Sequence, residues 1–321
     1  MRAKVWIDRI RFNYRVSLLL TVLLTPVRRA AIALARQVAR KVWVNGRTVS
    51  YGSCRISFPR NVGVQYSTAL YWHGTEGFEA HTSRVLRSLF PRAEHFLDVG
   101  SNVGFYAVLA KKVNPALTVD AFEPVPSIHG ANLLFHTVNG LDSSRVWRKA
   151  LGGSVGRATL YQPTQSTAIL EESASTLRED SWQSRRQERQ EIPVEVETMD
   201  TFLARVGIAG RLLIKIDVED FESQVLAGAT ETLKTRRPVI VCEILPREHG
   251  NRETWSVIDG HGYVPFAITP TGCFRIGQED LVGGRSFLDV LLVPGEAAPP
   301  GRNYLTDDDL PALLGAGRSQ G

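Results

Sequence analysis

Cysteine is scarce in this 321-residue chain: three residues, Cys54, Cys242 and Cys273, odd in number and far apart. That spacing excludes a disulfide framework and a thiolate metal site, and it fits a reducing compartment. Long hydrophobic runs are also missing. The most apolar stretch, residues 16–27, is twelve residues long and contains Pro26. It is too short to span a bilayer as a helix. The body lacks positive charge. Residues 1–47 hold eleven Lys/Arg against one acid, Asp8, while the whole chain is only +5, so residues 48–321 are net −5. A body of that sign is not a nucleic-acid binder.

What remains is ordinary: 43% hydrophobic and 22% charged residues, enough for one large α/β domain with an appendage. The basic residues before the 16–27 run give it the look of a signal peptide's first two regions. In residues 28–42, Arg29, Arg36 and Arg40 share one helical face, with Ile32, Ala35, Val38 and Val42 on the other. Such a helix can lie on an anionic membrane surface or pack on the body with its arginines solvated. Residues 1–47 are therefore read as a basic arm, with peripheral membrane contact expected through residues 11–43. Residues 48–92 are a β/helix lead-in: β-prone pieces at 42–44, 47–51, 55–58 and 64–72 begin at the end of the arm, and a helix over 77–89 follows.

From residue 93 the pattern alternates. Strands are expected at 96–99, 118–122, 146–150, 212–218 and 239–244, with helices at 103–112, 127–138, 199–206 and 219–234. This alternation predicts a parallel sheet covered on both faces. Two more apolar stretches, 263–268 and 286–293, read as a closing hairpin. The expected fold is α/β: a doubly wound, mostly parallel, seven-stranded sheet spanning residues 93–294. Residues 161–191 interrupt it as a polar insert, read as a lid, a substrate wall or a disordered loop. Residues 295–321 read as a mobile tail, with one short helix starting at 306–309.

Residues 95–104, H-F-L-D-V-G-S-N-V-G, organise this domain. A strand carries Asp98 into a turn with glycines at 100 and 104, and a breaker-free helical stretch follows. Such a turn at the carboxyl end of a parallel strand exposes backbone beside a helix N-terminus, where small ligands bind. Asn102 stands where a dinucleotide fingerprint wants its middle glycine. The second strand ends in Ala121-Phe122-Glu123-Pro124, and an acid there suits the hydroxyls of an unphosphorylated ribose. An amine held by Asp98 and a ribose held by Glu123, with no pyrophosphate site, describe S-adenosyl-L-methionine better than NAD. The bland alternative is a βα turn in which Asp98 only caps the helix.

A second constellation follows at residues 212–222, L-L-I-K-I-D-V-E-D-F-E. Asp217, Glu219 and Glu222 gather at the end of the fourth expected strand. Helix N-capping by acids accounts for Glu222; Asp217, at the strand tip, is read as functional.

D-V-G-S-N-V-G at 98–104, A-F-E-P at 121–124, K-I-D-V-E-x-x-E at 215–222 and R-P-V-I-V-C-E-I at 237–244 resemble the FkbM-type methyltransferase family. The similarity covers roughly residues 77–270. It implies a class I, Rossmann-like, S-adenosylmethionine-dependent enzyme that O-methylates a hydroxyl of a sugar, glycolipid or natural product. By position, Asp98, Gly100, Asn102 and Gly104 would meet the methionine end and Glu123 the ribose, with Ser101 and Pro124 as further cofactor-binding residues. Asp217 and Glu219 would stand beside the reacting centre, with His249 as a runner-up base and Glu243 ending the next strand. No metal ligands are assigned, although a divalent ion on these oxygens is conceivable chemistry. Asp220 and Phe221 depart from the family's usual Gly and small residue, and Ser101 from a common Ala. The rivals are a non-catalytic cofactor- or partner-binding relative and an NAD-dependent sugar-modifying enzyme. Cytoplasmic placement is expected.

Overall fold

The computed structural model describes residues 43–163, 189–245, 251–282 and 289–315. The basic helix of the arm, the middle of the polar insert and His249 lie outside them. Among the described residues no helix is long and apolar enough to cross a membrane.

In chain order the lead-in holds strands β1 (Thr48–Tyr51) and β2 (Cys54–Ser57), helix α1 (Val64–His73), a 3-10 turn and helix α2 (Ala80–Leu89). Then come β3 (His95–Val99), α3 (Phe105–Val113), β4 (Thr118–Phe122), α4 (Pro126–Val138), β5 (Val146–Trp147), β6 (Ala150–Leu151), β7 (Gly156–Pro163) and β8 (Arg189–Glu197). The second half runs α5 (Met199–Val206), β9 (Leu212–Ile216), α6 (Glu222–Ala227), β10 (Val239–Glu243) and α7 (Arg252–Gly260). It closes with β11 (Tyr263–Thr269), β12 (Gly272–Arg275), α8 (Gln278–Val282), β13 (Asp289–Pro294), β14 (Tyr304–Leu305) and α9 (Leu310–Leu313).

Among the described residues, nine strands form the main sheet in the order β14-β12-β11-β13-β10-β9-β3-β4-β5. The strands β5, β4, β3, β9 and β10 are parallel, and β13, β11, β12 and β14 continue the sheet antiparallel. Two layers of helices cover it, and the strands show why. Phe96, Leu213, Val239, Val241, Leu291 and Val293 join one buried cluster. Their immediate neighbours Leu97, Ile214, Ile240, Cys242, Val290 and Leu292 join the other. Period-two alternation with apolar residues on both faces demands cover on both faces. α3, α4 and the lead-in cover the first face, and α5, α6 and α7 the second. Each fully buried Leu, Ile or Phe contributes about 1.5–3 kcal/mol.

The mixed α/β character agrees with the sequence reading; several details differ. Residues 64–73 form a helix rather than a strand. Their β-prone composition is overridden because the buried positions, Val64, Ser67, Leu70 and Trp72, fall on one side of a helix and not on alternate residues. No regular element covers residues 43–45. The expected 146–150 strand is two pieces: β5 stays in the main sheet, while β6 joins β8 and β7 in a separate three-stranded sheet. The ends of the polar insert are thus a long hairpin, β7 against β8. The expected helix over 219–234 is broken into α6 and a wide helical turn over Thr232–Arg236. The closing hairpin, β11 with β13, is interrupted by β12, which adds to the sheet edge and brings in β14. Seven strands therefore become nine. The composition of residues 295–315 suggests mobility, but Leu305, Leu310 and Leu313 are buried against the body. Arg84 of α2 clamps this segment through Asp307.

In the middle of β4, Asp120 is wholly buried and accepts hydrogen bonds from His95 Nε2 (2.6 Å), Arg145 Nη2 (2.6 Å) and Trp147 Nε1 (2.7 Å). This fastens β5 to β3 and β4.

Candidate active site

Asp98, Lys215 and Glu243 share one face of the sheet, because each stands an even number of residues from Phe96, Leu213 or Val241 of the same buried cluster. Register places Asp98 beside Lys215 and Glu243 one step beyond the Cys242–Ile216 pair, level with Asp217. Glu123, two residues past Ala121, lies on the same side. Carboxyl ends of adjacent parallel strands thus deliver a row of charged groups to one cleft.

The turn after β3 is tightly held. Gly100 has φ 78°, and its N–H and that of Ser101 donate to Phe122 O at 3.1 and 2.9 Å. A Cβ on Gly100 would lie 1.7 Å from the backbone oxygen of Asp217. The glycine is needed for the close passage of two strand tips. Gly104, at φ 89°, is crowded by the Asn132 amide, whose Nδ2 donates to Asn102 O and Ser101 Oγ at 2.8 and 3.0 Å. It does not line the cleft, whereas Asp98, Gly100, Ser101, Asn102, Glu123 and Pro124 do.

Asp98 is 1% exposed. Its Oδ2 accepts from Ala107 N–H at 3.0 Å, and its Oδ1 has no partner. Burial pushes its carboxyl up to about 6 despite the pull of Lys215. Glu123 accepts from Val125 N–H at 2.8 Å and Asn102 N–H at 3.1 Å, one on each oxygen. Burial pushes it up to about 7. The role read for Asp98 as a simple helix cap covers only one of its oxygens.

Lys215 was not singled out from sequence, although a lysine inside Leu-Leu-Ile-Lys-Ile is the signal. It is 4% exposed. Its Nζ lies 2.6 Å from Asp217 Oδ2 and 4.9 Å from the centre of the Tyr106 ring. Burial alone would lower its ammonium, but Asp217, Glu79 and Asp98 raise it well above its ordinary value. Burial would raise Asp217; Lys215 and a hydrogen bond from Glu243 outweigh this and hold it low. Glu243 is raised by burial and then by Asp217, so it stays protonated and donates to its neighbour. Glu79, also missed, reaches in from the N-terminus of α2 and accepts from the Tyr106 hydroxyl at 2.7 Å. Six acids, Glu79, Asp98, Glu123, Asp217, Glu219 and Glu243, line the cleft against two lysines, Lys149 and Lys215. With Glu243 protonated, the other five acids still outnumber the two lysines, a lining that favours a cationic ligand. The cleft has about 1100 Å³ of empty space, solvent mouth included, room for a nucleoside with an amino-acid arm.

Residues 98–265 match the Methyltransferase FkbM domain. The chain belongs to the FkbM methyltransferase family. Among FkbM-type relatives, the 31-O-demethyl-FK506 methyltransferase FkbM of Streptomyces tacrolimicus is 29% identical over 192 residues, 53% of this chain and 72% of that protein. Methyltransferase 1 of Beauveria bassiana is 29% identical over 149 residues, 43% of this chain and 59% of that protein. A solved methyltransferase FkbM from Methylobacillus flagellatus KT aligns at 16% identity over 64% of this chain and 47% of its own, with a TM-score of 0.38. This FkbM-type chain is an S-adenosylmethionine-dependent methyltransferase.

The residues present fit that cofactor. The orphaned Asp98 Oδ1 is an acceptor for an ammonium, and each Glu123 oxygen keeps a lone pair for a hydroxyl. Among the described residues no group of three His, Cys, Asp or Glu side chains is arranged to hold a metal ion. Asp217 and Glu219 line the cleft.

Proposed function

We propose that this enzyme O-methylates a hydroxyl of a neutral small-molecule or natural-product acceptor, at the tips of β3, β9 and β10. The observation that carries the reading is the row Asp98, Lys215, Asp217 and Glu243 on one sheet face, opening on the same cleft as Glu123. In the same reading, strands β5-β4-β3-β9-β10-β13-β11 are the doubly wound, class I core, to which β12 and β14 are additions.

The cofactor supplies an electrophilic methyl on a sulfonium. Asp98 would hold the ammonium and Glu123 the ribose hydroxyls, the two anchors that would position the cofactor. Lys215 neutralises part of the acid cluster and keeps Asp217 ionised. The acceptor hydroxyl would give up its proton to a cleft carboxylate on receiving the methyl, the cofactor's thioether being the leaving group. Asp217, the ionised member of its pair with Glu243, accepts it, and Glu219 orients the hydroxyl. His249 remains the second candidate for the base. An acid touching the sulfonium would stabilise the ground state and gain nothing.

Titration calorimetry with S-adenosylmethionine and with NAD tests the cofactor site; binding of NAD alone would reject it. Asp217→Asn should hold cofactor affinity within a few-fold and cut turnover roughly 10²–10⁴-fold. Full turnover in that variant would remove Asp217 from the mechanism. Cytoplasmic placement and membrane contact through residues 11–43 belong to the same reading, supported by sparse cysteine and the basic arm. Cosedimentation with anionic but not neutral vesicles is expected; equal recovery with both would discard the contact.

A further inference from the structure

We infer that the lead-in holds a second site, an anion pocket in which Arg84, Arg87 and Lys112 bind a phosphate monoester. The pocket stands apart from the methyltransferase cleft: the two share no lining residue.

Its origin is the spacing of α2. Val85, Leu86 and Leu89 are buried in the core. Arg84, Arg87 and Ser88, at i, i+3 and i+4, therefore share the outward face. That face borders a hollow closed by Lys112 from the last turn of α3, by the β1–β2 turn at Cys54 and by Asp307 of the 295–315 segment. The hollow has about 700 Å³ of empty space, mouth included, room for the phosphate ester of a small alcohol.

Its charge is the reverse of the cleft's. Three cations face one carboxylate, a surplus of two positive charges. A phosphate monoester carries about two negative charges near neutral pH, on three acceptor oxygens. Asp307 engages Arg84 Nη1, and Arg84 Nη2 donates to Thr269 O at 2.9 Å. Arg84 Nε is buried and has no hydrogen-bond partner. A buried donor left without an acceptor is costly. Lys112 Nζ donates to Asn139 O at 2.9 Å, which is neutral and leaves the charge uncompensated. The Arg87 guanidinium lies 5.2 Å from the centre of the Tyr51 ring, which orients it without neutralising it. Among the described residues no carboxylate pairs with Arg87 or Lys112. Gly52, at φ 58°, lets the β1–β2 turn pass over Arg87 as bare backbone; a Cβ there would lie 2.7 Å from Nη2. Arginine forks match phosphate oxygens in pairs, and the lysine adds a point charge. A soluble ester and a phosphatidate headgroup present this same group.

Cys54 gives a local readout. It is half-buried and lines the pocket, whereas Cys242 and Cys273 are buried. An anion bound there blocks the thiol and disfavours its thiolate. Iodoacetamide alkylation of Cys54 in the full chain, followed by peptide mass spectrometry, should slow at least about threefold with glycerol 3-phosphate. Half of the effect is expected at about 1 mM ester, and glycerol should have none. Arg87→Gln and Lys112→Met should each raise the half-effect concentration roughly tenfold. Arg87→Lys, which keeps the charge and loses the fork, should fall between. Asp307→Asn should lower that concentration, since Arg84 is released to the anion. Calorimetric affinity for S-adenosylhomocysteine should stay within threefold in every variant. Vesicles of phosphatidic acid are compared with phosphatidylglycerol at equal charge. Greater protection by phosphatidic acid supports the pocket and assigns the ester to a lipid; protection by glycerol 3-phosphate alone supports it and assigns a soluble ester. Protection by neither probe, equal protection by glycerol, or full protection in Arg87→Gln and in Lys112→Met would overturn the inference, the cations then serving only the ends of α2 and α3. Competition between glycerol 3-phosphate and S-adenosylhomocysteine would overturn the separateness of the site.

Discussion

Lys215 Nζ and Asp217 Oδ2 lie 2.6 Å apart, although the two residues are separated by one position at the end of β9. In a regular strand, residues two apart share a face, and the loop begins at Asp217, so the carboxylate folds back over the ammonium. The pair is the electrostatic centre of the cleft. Lys215→Met leaves the neighbouring carboxylates uncompensated and should cost about 3 kcal/mol of stability. The double variant Lys215→Met with Asp217→Asn should recover at least about 1 kcal/mol of that loss in urea unfolding. Strict additivity of the two single changes would mean the pair is not coupled.

Cofactor affinity should depend on pH through Asp98. Its carboxyl is pushed by burial to about 6, and only its ionised form attracts an ammonium. Affinity is therefore full above that value and lost as pH falls through it, roughly tenfold between pH 7 and pH 5. Glu123, raised to about 7, meets neutral hydroxyls and can hydrogen-bond them in either state. Calorimetry in buffers of matched ionisation heat should show the fall in the parent and a flat, weaker profile in Asp98→Asn. A pH-independent parent would show that Asp98 does not hold the ammonium.

Asp220 stands at φ 79°, directly after Glu219 at φ 51°. These are left-handed conformations that favour glycine, and glycine is what the family resemblance leads one to expect there. Asp220→Gly should match or exceed the parent's stability by up to about 1 kcal/mol, and Asp220→Ala should fall about 1 kcal/mol below the glycine variant. Thermal unfolding of the three proteins decides it; alanine as stable as glycine would show that the backbone carries no strain.

Asp120 offers a prediction away from the cleft. Burial would raise its carboxyl, but hydrogen bonds from His95, Arg145 and Trp147 hold it below its ordinary value. A depressed acid stabilises the fold above its unfolded value, about pH 4, and that contribution is lost as pH falls through the folded value. Asp120→Asn should cost about 2 kcal/mol at pH 7 and much less at pH 3. Urea midpoints at both values check the difference.

Much of the cleft was legible in one dimension. Asp98, Gly100 and Glu123 are readable because a strand, a glycine turn and a helix follow one another locally, and because an acid ends the next strand. Lys215 escaped notice because its meaning depends on Asp98, more than a hundred positions away, which only the register of β3 with β9 sets beside it. Tyr66 escaped because residues 64–72 are β-prone in composition, and Phe78 and Glu79 because only helix docking brings the start of α2 to the cleft. Burial of Val64, Ser67, Leu70 and Trp72 made the 64–72 stretch a helix, which leaves Tyr66 lining the cleft. The partners of the 295–315 segment were invisible for the same reason: its leucines find their cover on α2 and the sheet edge.

Apolar alternation and turn chemistry act over a few residues, so the order of strands and helices, the two-faced burial of the sheet and the tip positions of the acids could be read directly. Which charges become neighbours, which glycine is crowded by its own chain and which aromatic wall closes the cleft depend on strand register and helix docking. Those follow from the summed burial of distant side chains, a quantity that no local stretch contains.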